Sequence, residues 1–204
     1  GDVYKRQIPK GTPRDAVDLL IKLLDRRGLN SYEIAQVYNT LAFAYFTLDD
    51  IPNTIKAYEN VLEQTITESL EKNVLRGLFQ LYYAEENYAK AIEYINRWET
   101  LNEGPDANVT FIKATAYYQM ENFRESLKYA LEVEPLAIAE GRQVKENWLY
   151  LQVVLYNELK QIDDTIRVLE RMVVEFPKKQ YWMHLAGMYA ENCLLYTSDA
   201  ADES

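Results

Sequence analysis

The sequence predicts an all-α fold, a solenoid of antiparallel helix pairs. Three observations carry that expectation. Tyr45, Tyr82, Tyr117, Tyr156 and Tyr189 recur at intervals of 37, 35, 39 and 33 residues, the period of stacked helix–turn–helix arrays. Each tyrosine stands near the end of a stretch with helical spacing of apolar residues and, where the chain continues, a second such stretch follows. Glycine and proline number only seven and six among 204 residues, and Leu, Ala, Glu, Lys and Tyr dominate, a mixture that favours helix.

The first helix is expected from about Pro13 to Arg27, with Thr12 as N-cap, Pro13 in the first turn, Gly28 as terminator and Val17, Leu20, Ile21 and Leu24 as its apolar stripe. Residues 8–30 then form the second helix of a repeat whose first half is missing. Repeat one, 31–70, opens after Asn30-Ser31. Tyr38, Leu41, Ala42 and Tyr45 share one face, Asp49-Asp50 makes the turn, and Pro52 starts a partner helix carrying Ile55, Tyr58, Val61 and Leu62. Repeat two, 71–104, has Leu75, Leu78, Phe79 and Tyr82, a turn at Glu86-Asn87, then Tyr88, Ala91, Ile92, Ile95 and Trp98. Repeat three, 105–141, opens after Gly104-Pro105-Asp106 and continues through Ala114, Tyr117, Phe123, Ser126, Leu127 and Ala130. Repeat four, 142–177, has Trp148, Leu149, Val153 and Tyr156, then Ile162, Thr165, Ile166, Leu169 and Val173. Residues 178–192, with Trp182, Leu185, Ala186 and Tyr189, are expected to be a first helix ending in its turn.

One column explains how the helices of a pair meet. Thr54, Ala91, Ser126 and Thr165 each follow their tyrosine by nine residues. All are small, as the point of closest helix approach requires. Lys113 and Gln152 interrupt the apolar pattern, so the stripe is expected to slip by one residue there, to Ile112 and Ala116 and to Trp148, Leu151 and Leu155. Pro135 is expected to kink the second helix of repeat three near Leu131, or to break it and leave a short helix up to Gly141.

The two ends are read as foreign. Asp2–Gln7 can be encoded by GAT GTG TAT AAG AGA CAG, and the reverse complement of that DNA, shifted by one base, encodes Cys193–Ser198. The element resembles the transposon end used to build sequencing libraries, so residues 1–7 and 193–204 are expected to be adapter scars on a fragment of a longer, metagenomic bacterial gene. They carry two basic and four acidic residues, which leaves 20 and 28 between them and a net charge of −8. The single cysteine, Cys193, falls in a scar, and no disulfide framework or thiolate chemistry remains. An acidic chain argues against nucleic acid, whose phosphates need basic partners. No apolar run approaches the length of a membrane-spanning helix.

Catalysis finds little support. His184 is the only histidine and sits beside Met183 and Leu185 with no second metal-binding residue near it, so no metal or other cofactor is expected. Ser31, Ser69 and Ser126 complete no hydrolytic triad, no glycine-rich phosphate loop exists, and the acid pairs Glu85-Glu86 and Asp163-Asp164 fall at turns, where solvated charge and capping account for them.

The units resemble tetratricopeptide repeats, most closely at Trp182…Leu185-Ala186…Tyr189, at Ala116-Tyr117-Tyr118 leading to Phe123, and at Tyr88…Ala91-Ile92. The glycine usual at that family's first turn is replaced by Asp49, Glu86, Glu121 and Lys160. The resemblance implies a right-handed superhelix whose first helices line a concave groove. A narrower resemblance, carried by Lys145-Glu146-Asn147-Trp148, Phe176–Trp182 and Leu185–Tyr189, is to gammaproteobacterial repeat proteins that accompany TonB–ExbB–ExbD systems. It implies the periplasm, with a cytoplasmic location as the alternative.

On each first helix the stripe facing that groove is expected at i, i+3, i+7 and i+10. It comprises Gln36, Asn39, Phe43 and Phe46; Asn73, Arg76, Gln80 and Tyr83; Asn108, Phe111, Thr115 and Tyr118; Asn147, Tyr150, Val154 and Asn157; and Gln180, Met183, Gly187 and Ala190. The first member is always an amide, which can both donate to and accept from a peptide backbone, and the aromatics would cover the peptide's side chains. Arg76 is the only cation between the scars in this stripe, whereas the family's clamp for C-terminal carboxylates needs several, so that mode is disfavoured. The alternative is that the aromatics pack on neighbouring repeats. The expected function is a non-enzymatic scaffold for a peptide or a partner helix. Its rivals are the recognition arm of a larger enzyme, such as a glycosyltransferase or signalling kinase, and a structural assembly subunit.

Overall fold

The computed structural model describes the backbone of residues 12–202 and the side chains of residues 12–191. Residues 1–7, read as a scar, lie outside the described residues. The chain forms two compact units, one ending at Glu103 and the other beginning at Gly104. All regular structure among the described residues is α-helical. The first unit holds α1 (Pro13–Leu24) and the pairs α2 (Ser31–Thr47) with α3 (Ile51–Leu62) and α4 (Glu68–Ala84) with α5 (Tyr88–Leu101). The second holds α6 (Ala107–Gln119) with α7 (Phe123–Ala139), α8 (Glu146–Glu158) with α9 (Ile162–Glu175), and α10 (Lys179–Asp202). Within each unit every helix packs on its neighbours in sequence, and α6 also touches α8.

Helix starts follow from short polar side chains that accept backbone N–H bonds. Thr12 and Asn30 form reciprocal capping boxes with Asp15 and Glu33, and Thr67 and Asp106 cap α4 and α6. The turns inside the pairs follow from one repeated device. Each first helix and its partner are separated by three residues, and the middle one is left-handed: Asp49, Glu86, Glu121 and Lys160 have φ of 60°, 59°, 57° and 58°. The next residue donates its N–H back to the periodic tyrosine. Asp50 reaches the Tyr45 carbonyl at 2.9 Å, Asn87 that of Tyr82 at 2.8 Å, Asn122 that of Tyr117 at 2.9 Å and Gln161 that of Tyr156 at 2.9 Å. This six-to-one bond closes a Schellman motif, which ends a helix and reverses the chain. The side chains of Asp50, Asn87 and Asn122 then cap the second helix of the pair.

The small column packs at the helix contacts. Thr54, Ala91, Ser126 and Thr165 are fully buried, and the Ser126 hydroxyl donates to the Ala114 carbonyl at 2.7 Å, tying α7 to α6. Around it lie local cores, with Val37, Leu41, Ala42 and Ala57 in the first unit and Leu149, Val153, Leu169, Met172, Tyr181 and Leu185 in the second. Tyrosines stack beside the column. Tyr82 lies parallel to Tyr94 at 5.5 Å and Tyr117 to Tyr129 at 5.4 Å. Glu59 of α3 accepts from both Tyr82 and Tyr94, at 2.7 and 3.0 Å. Burial, and then this carboxylate, push both phenols well above their ordinary range. Glu170 accepts from Tyr189 in the equivalent place, five residues after the small residue of α9.

Four sequence expectations need correction. α1 ends at Leu24, before Arg27, and Ile21 is exposed while Leu23 joins the core. α7 runs unbroken through Pro135. The carbonyl that Pro135 leaves without a helical donor belongs to Leu131, an exposed residue whose backbone water can reach. The stripe widens where a slip was expected: Ala116, Trp148, Leu151 and Leu155 are buried and Ile112 half-buried, but Lys113 and Gln152 keep their inward places and are buried too. The Lys113 ammonium lies 4.4 Å from the centre of the Tyr129 ring, and the Gln152 amide donates to the Ala130 carbonyl at 3.4 Å. Finally, α10 continues to Asp202 through residues read as a scar, a stretch without glycine or proline to stop it. Its inward face is Tyr181, Leu185 and Met188, while Trp182, Ala186 and Tyr189 are exposed. In the pairs those three positions face the following helix, and α10 has none among the described residues.

Because an L-residue in the left-handed region is strained, Glu121→Gly is expected to stabilise the protein by about 0.5–1 kcal/mol, the relief being partly offset by glycine's unfolded-state entropy. Ser126→Leu is expected to destabilise it by about 1–3 kcal/mol through overpacking. Urea unfolding followed by circular dichroism measures both.

Candidate functional site

None of the stripe residues of α2, α4, α6 and α8 is buried. Asn73, Asn108, Asn147, Asn157, Arg76 and Gln80 are exposed, whereas Gln36, Asn39 and Thr115 are half-buried. The aromatics divide. Phe43, Phe46 and Tyr150 are 70%, 55% and 46% exposed. Tyr83 and Tyr118 instead pack on the first residue of their partner helices, Tyr88 at 5.3 Å and Phe123 at 5.7 Å, and Phe111 lies 6.4 Å from Trp148. Phe111, and Tyr150 against Tyr181 at 6.2 Å, thus meet a neighbouring repeat, while Tyr83 and Tyr118 pack within their own.

In the first unit a cleft of about 320 Å³ opens beside the C-terminal ends of α2 and α4, lined by Phe46, Tyr58, Gly77, Gln80, Leu81 and Ala84. Gly77 matters here, because a Cβ on it would come 3.1 Å from the Tyr58 ring. Of the stripe, this cleft collects Phe46 and Gln80. Arg76 stands apart, with its guanidinium carbon 4.9 Å from the centre of the buried Trp98 ring.

In the second unit a cleft of about 270 Å³ is lined by Phe111, Tyr118, Asn147, Tyr150, Leu151 and Val154, five of which belong to the stripes of α6 and α8. Asn147 and Tyr150 also line an adjoining cleft of about 310 Å³ with Glu146 and Tyr181. Asn108 and Thr115 are not in either lining. The Asn108 amide oxygen accepts from Lys145 at 3.1 Å, and the Thr115 hydroxyl donates to the carbonyl of Ile112 at 2.8 Å.

Glu146 and Tyr181 were absent from the sequence-derived stripe. Glu146 accepts from Lys178 at 2.6 and 2.7 Å and from the Tyr181 hydroxyl, so α10 is tied to α8 at the wall of the adjoining cleft. The bonds from Lys178 and Tyr181 hold the Glu146 carboxyl below its ordinary range. Separations of 32 and 35 residues, one repeat length, were the signal available for this pairing. His184 is exposed, and the described residues contain no cluster of metal-ligating side chains. No helix among them is long and apolar enough to cross a membrane.

No protein-family model matches the sequence, and no curated protein matches it. Solved structures do. MamA 41-end from Desulfovibrio magneticus RS-1 superposes with a TM-score of 0.61 at 14% identity, over 82% of this chain and 90% of that one. YrrB, a TPR protein with an unusual peptide-binding site, gives 0.63 at 16% identity, over 86% and 84%. A tetratricopeptide repeat protein from Parabacteroides merdae ATCC 43184 gives 0.57 at 16% identity, over 87% and 66%. The chain has the tetratricopeptide-repeat fold. In tetratricopeptide terms Asp49, Glu86, Glu121 and Lys160 occupy the place of the first-turn glycine and adopt its left-handed backbone without being glycine. The clefts of the two units are lined mainly by first helices, with Tyr58 of α3 added in the first unit.

The folded-state pKa of Glu146 is depressed, so its contribution is present above the unfolded-state value and is lost as pH falls through the folded one. Lowering the pH below the ordinary carboxylate range is therefore expected to loosen α10 from α8, and Glu146→Gln to remove that acid-dependent step. Tyr181 ring resonances, followed by NMR titration, report it.

Proposed function

We propose that the chain is a non-enzymatic interaction scaffold that holds an extended peptide or a partner helix against the amide-and-aromatic face of its first helices. The observation that carries this reading is the recurrence of one arrangement in both units. Each has an open cleft, large enough for an apolar side chain, beside first helices and lined in part by their stripe. Exposed aromatics around such clefts supply much of the affinity of protein interfaces. Gln80 and Asn147 line them with exposed amides able to bond a peptide backbone of any sequence. YrrB, which shares the fold, has a peptide-binding site, and that likeness is further support. The narrower reading, an accessory of a TonB-type energy-transduction system in the periplasm, is supported by the phrases Lys145–Trp148 and Phe176–Trp182.

Selection of a random-peptide display library on the whole chain is expected to enrich peptides with an aromatic or aliphatic anchor. Calorimetry with an enriched peptide is expected to show Gln80→Ala with Asn147→Ala weakening binding by about 1–3 kcal/mol, with little loss of thermal stability. Phe111→Ser with Tyr150→Ser is expected to remove binding in the second unit. Affinity unchanged by both double variants would overturn the reading.

A further inference from the structure

The cleft of the first unit carries information about its occupant. Its lining residues Phe46, Leu81 and Ala84 lie in the last turns of α2 and α4. The residues that follow these helices are acidic, Asp49 and Asp50 after α2 and Glu85 and Glu86 after α4. Asp49, Glu85 and Glu86 are exposed, and none of the four forms an ion pair among the described residues. The Asp49 N–H donates to the carbonyl of Phe46, a lining residue, and Glu85 follows Ala84 directly. The C-termini of α2 and α4 lie at this edge beside the N-termini of α3 and α5, so the partial charges of the helix ends offset one another and the carboxylates carry the sign. The nearest stripe cation, Arg76, is laid over Trp98. An uncharged, largely apolar cleft thus borders a rim that carries the exposed carboxylates of Asp49, Glu85 and Glu86, while Asp50 caps α3.

We infer that this cleft takes an apolar anchor flanked by basic residues: a peptide segment whose aromatic or branched aliphatic side chain enters between Phe46, Tyr58, Leu81 and Ala84 while an adjacent lysine or arginine lies against Asp49, Glu85 and Glu86. The inference rests on the scaffold reading and adds the partner's charge. A net charge of −10 for the chain favours the same sign of partner at long range, and complementary rim charge sets specificity and encounter rate more than affinity.

The test uses the whole chain, isotope-labelled, and four synthetic peptides. Three share a central phenylalanine flanked by lysines, glutamates or serines, and the fourth is lysine-flanked with alanine at the centre. The lysine–phenylalanine peptide is expected to shift the amide resonances of Phe46, Gly77, Gln80, Leu81 and Ala84, and to bind about tenfold tighter than the glutamate-flanked one, an advantage that shrinks in high salt. Glu85→Lys with Glu86→Lys leaves two acidic and two basic rim residues and is expected to abolish the preference. Lys160 already holds the position equivalent to Glu86 with the same left-handed backbone, so a lysine fits that turn. Equal binding of the lysine- and glutamate-flanked peptides at these resonances, or a preference that survives charge reversal, would overturn the inference and leave the scaffold reading standing. Equal binding of the alanine-centred peptide would also overturn it, as charge without an anchor. Shifts from none of the peptides would overturn it too, while the second-unit variants decide the scaffold reading independently.

Discussion

The hydrogen bond from the residue after each left-handed turn to the carbonyl of the periodic tyrosine is the constraint on which the helix pairs depend. It ends one helix, reverses the chain in three residues and delivers Asp50, Asn87, Asn122 or Gln161 to the N-cap of the next helix. The turn geometry sets where the partner helix begins, and the small residue nine positions beyond the tyrosine is set with it. Thr54, Ala91, Ser126 and Thr165 can be fully buried only because the reversal brings the two helices together at that level. Carboxylates at equivalent positions, Glu59 and Glu170, then receive tyrosine hydroxyls from the following first helix. Backbone strain, helix contact and polar satisfaction are consequences of one short turn.

Lys113 and Gln152 lie inside the pairs without weakening them, because both find partners where they lie, whereas Thr110 Oγ1 and Trp98 Nε1 are buried without a hydrogen-bond partner among the described residues. Lys113 keeps its stem in the core with its charge on the Tyr129 ring, and Gln152 meets a backbone carbonyl. Holding register matters for the cleft of the second unit. A stripe that slipped by one residue would rotate Phe111, Tyr118 and Tyr150 by about 100° around their helices and empty the cleft that they line.

Much of the fold was legible in the sequence through spacing. The tyrosine period, the small column and the cap at Thr12 are local patterns that need no knowledge of packing. What spacing hid were the cases in which a residue behaves against its type. Acidic residues and a lysine stand where glycine is usual. Lys113 and Gln152 look too polar for the core they occupy, and Pro135 sits inside a helix whose freed carbonyl faces water. The candidate site was partly legible. Stripe spacing found the faces of α6 and α8, but not Tyr58, Gly77 or Leu81 in the first-unit cleft, because second helices and core-facing positions were left out of the stripe. Glu146 and Tyr181 were hidden because their pairing joins different repeats.

The stacked tyrosines have an optical consequence. Tyr82 with Tyr94 belongs to the first unit and Tyr117 with Tyr129 to the second, each pair of rings nearly parallel and about 5.5 Å apart. Phenol chromophores held face to face in a chiral setting couple their electronic transitions, and the resulting near-ultraviolet dichroism vanishes when the rings part. Removing one ring from a pair subtracts that pair's contribution and leaves that of the other in place. The protein thus carries a native reporter in each half, through which the cooperativity between them can be observed without attaching a dye.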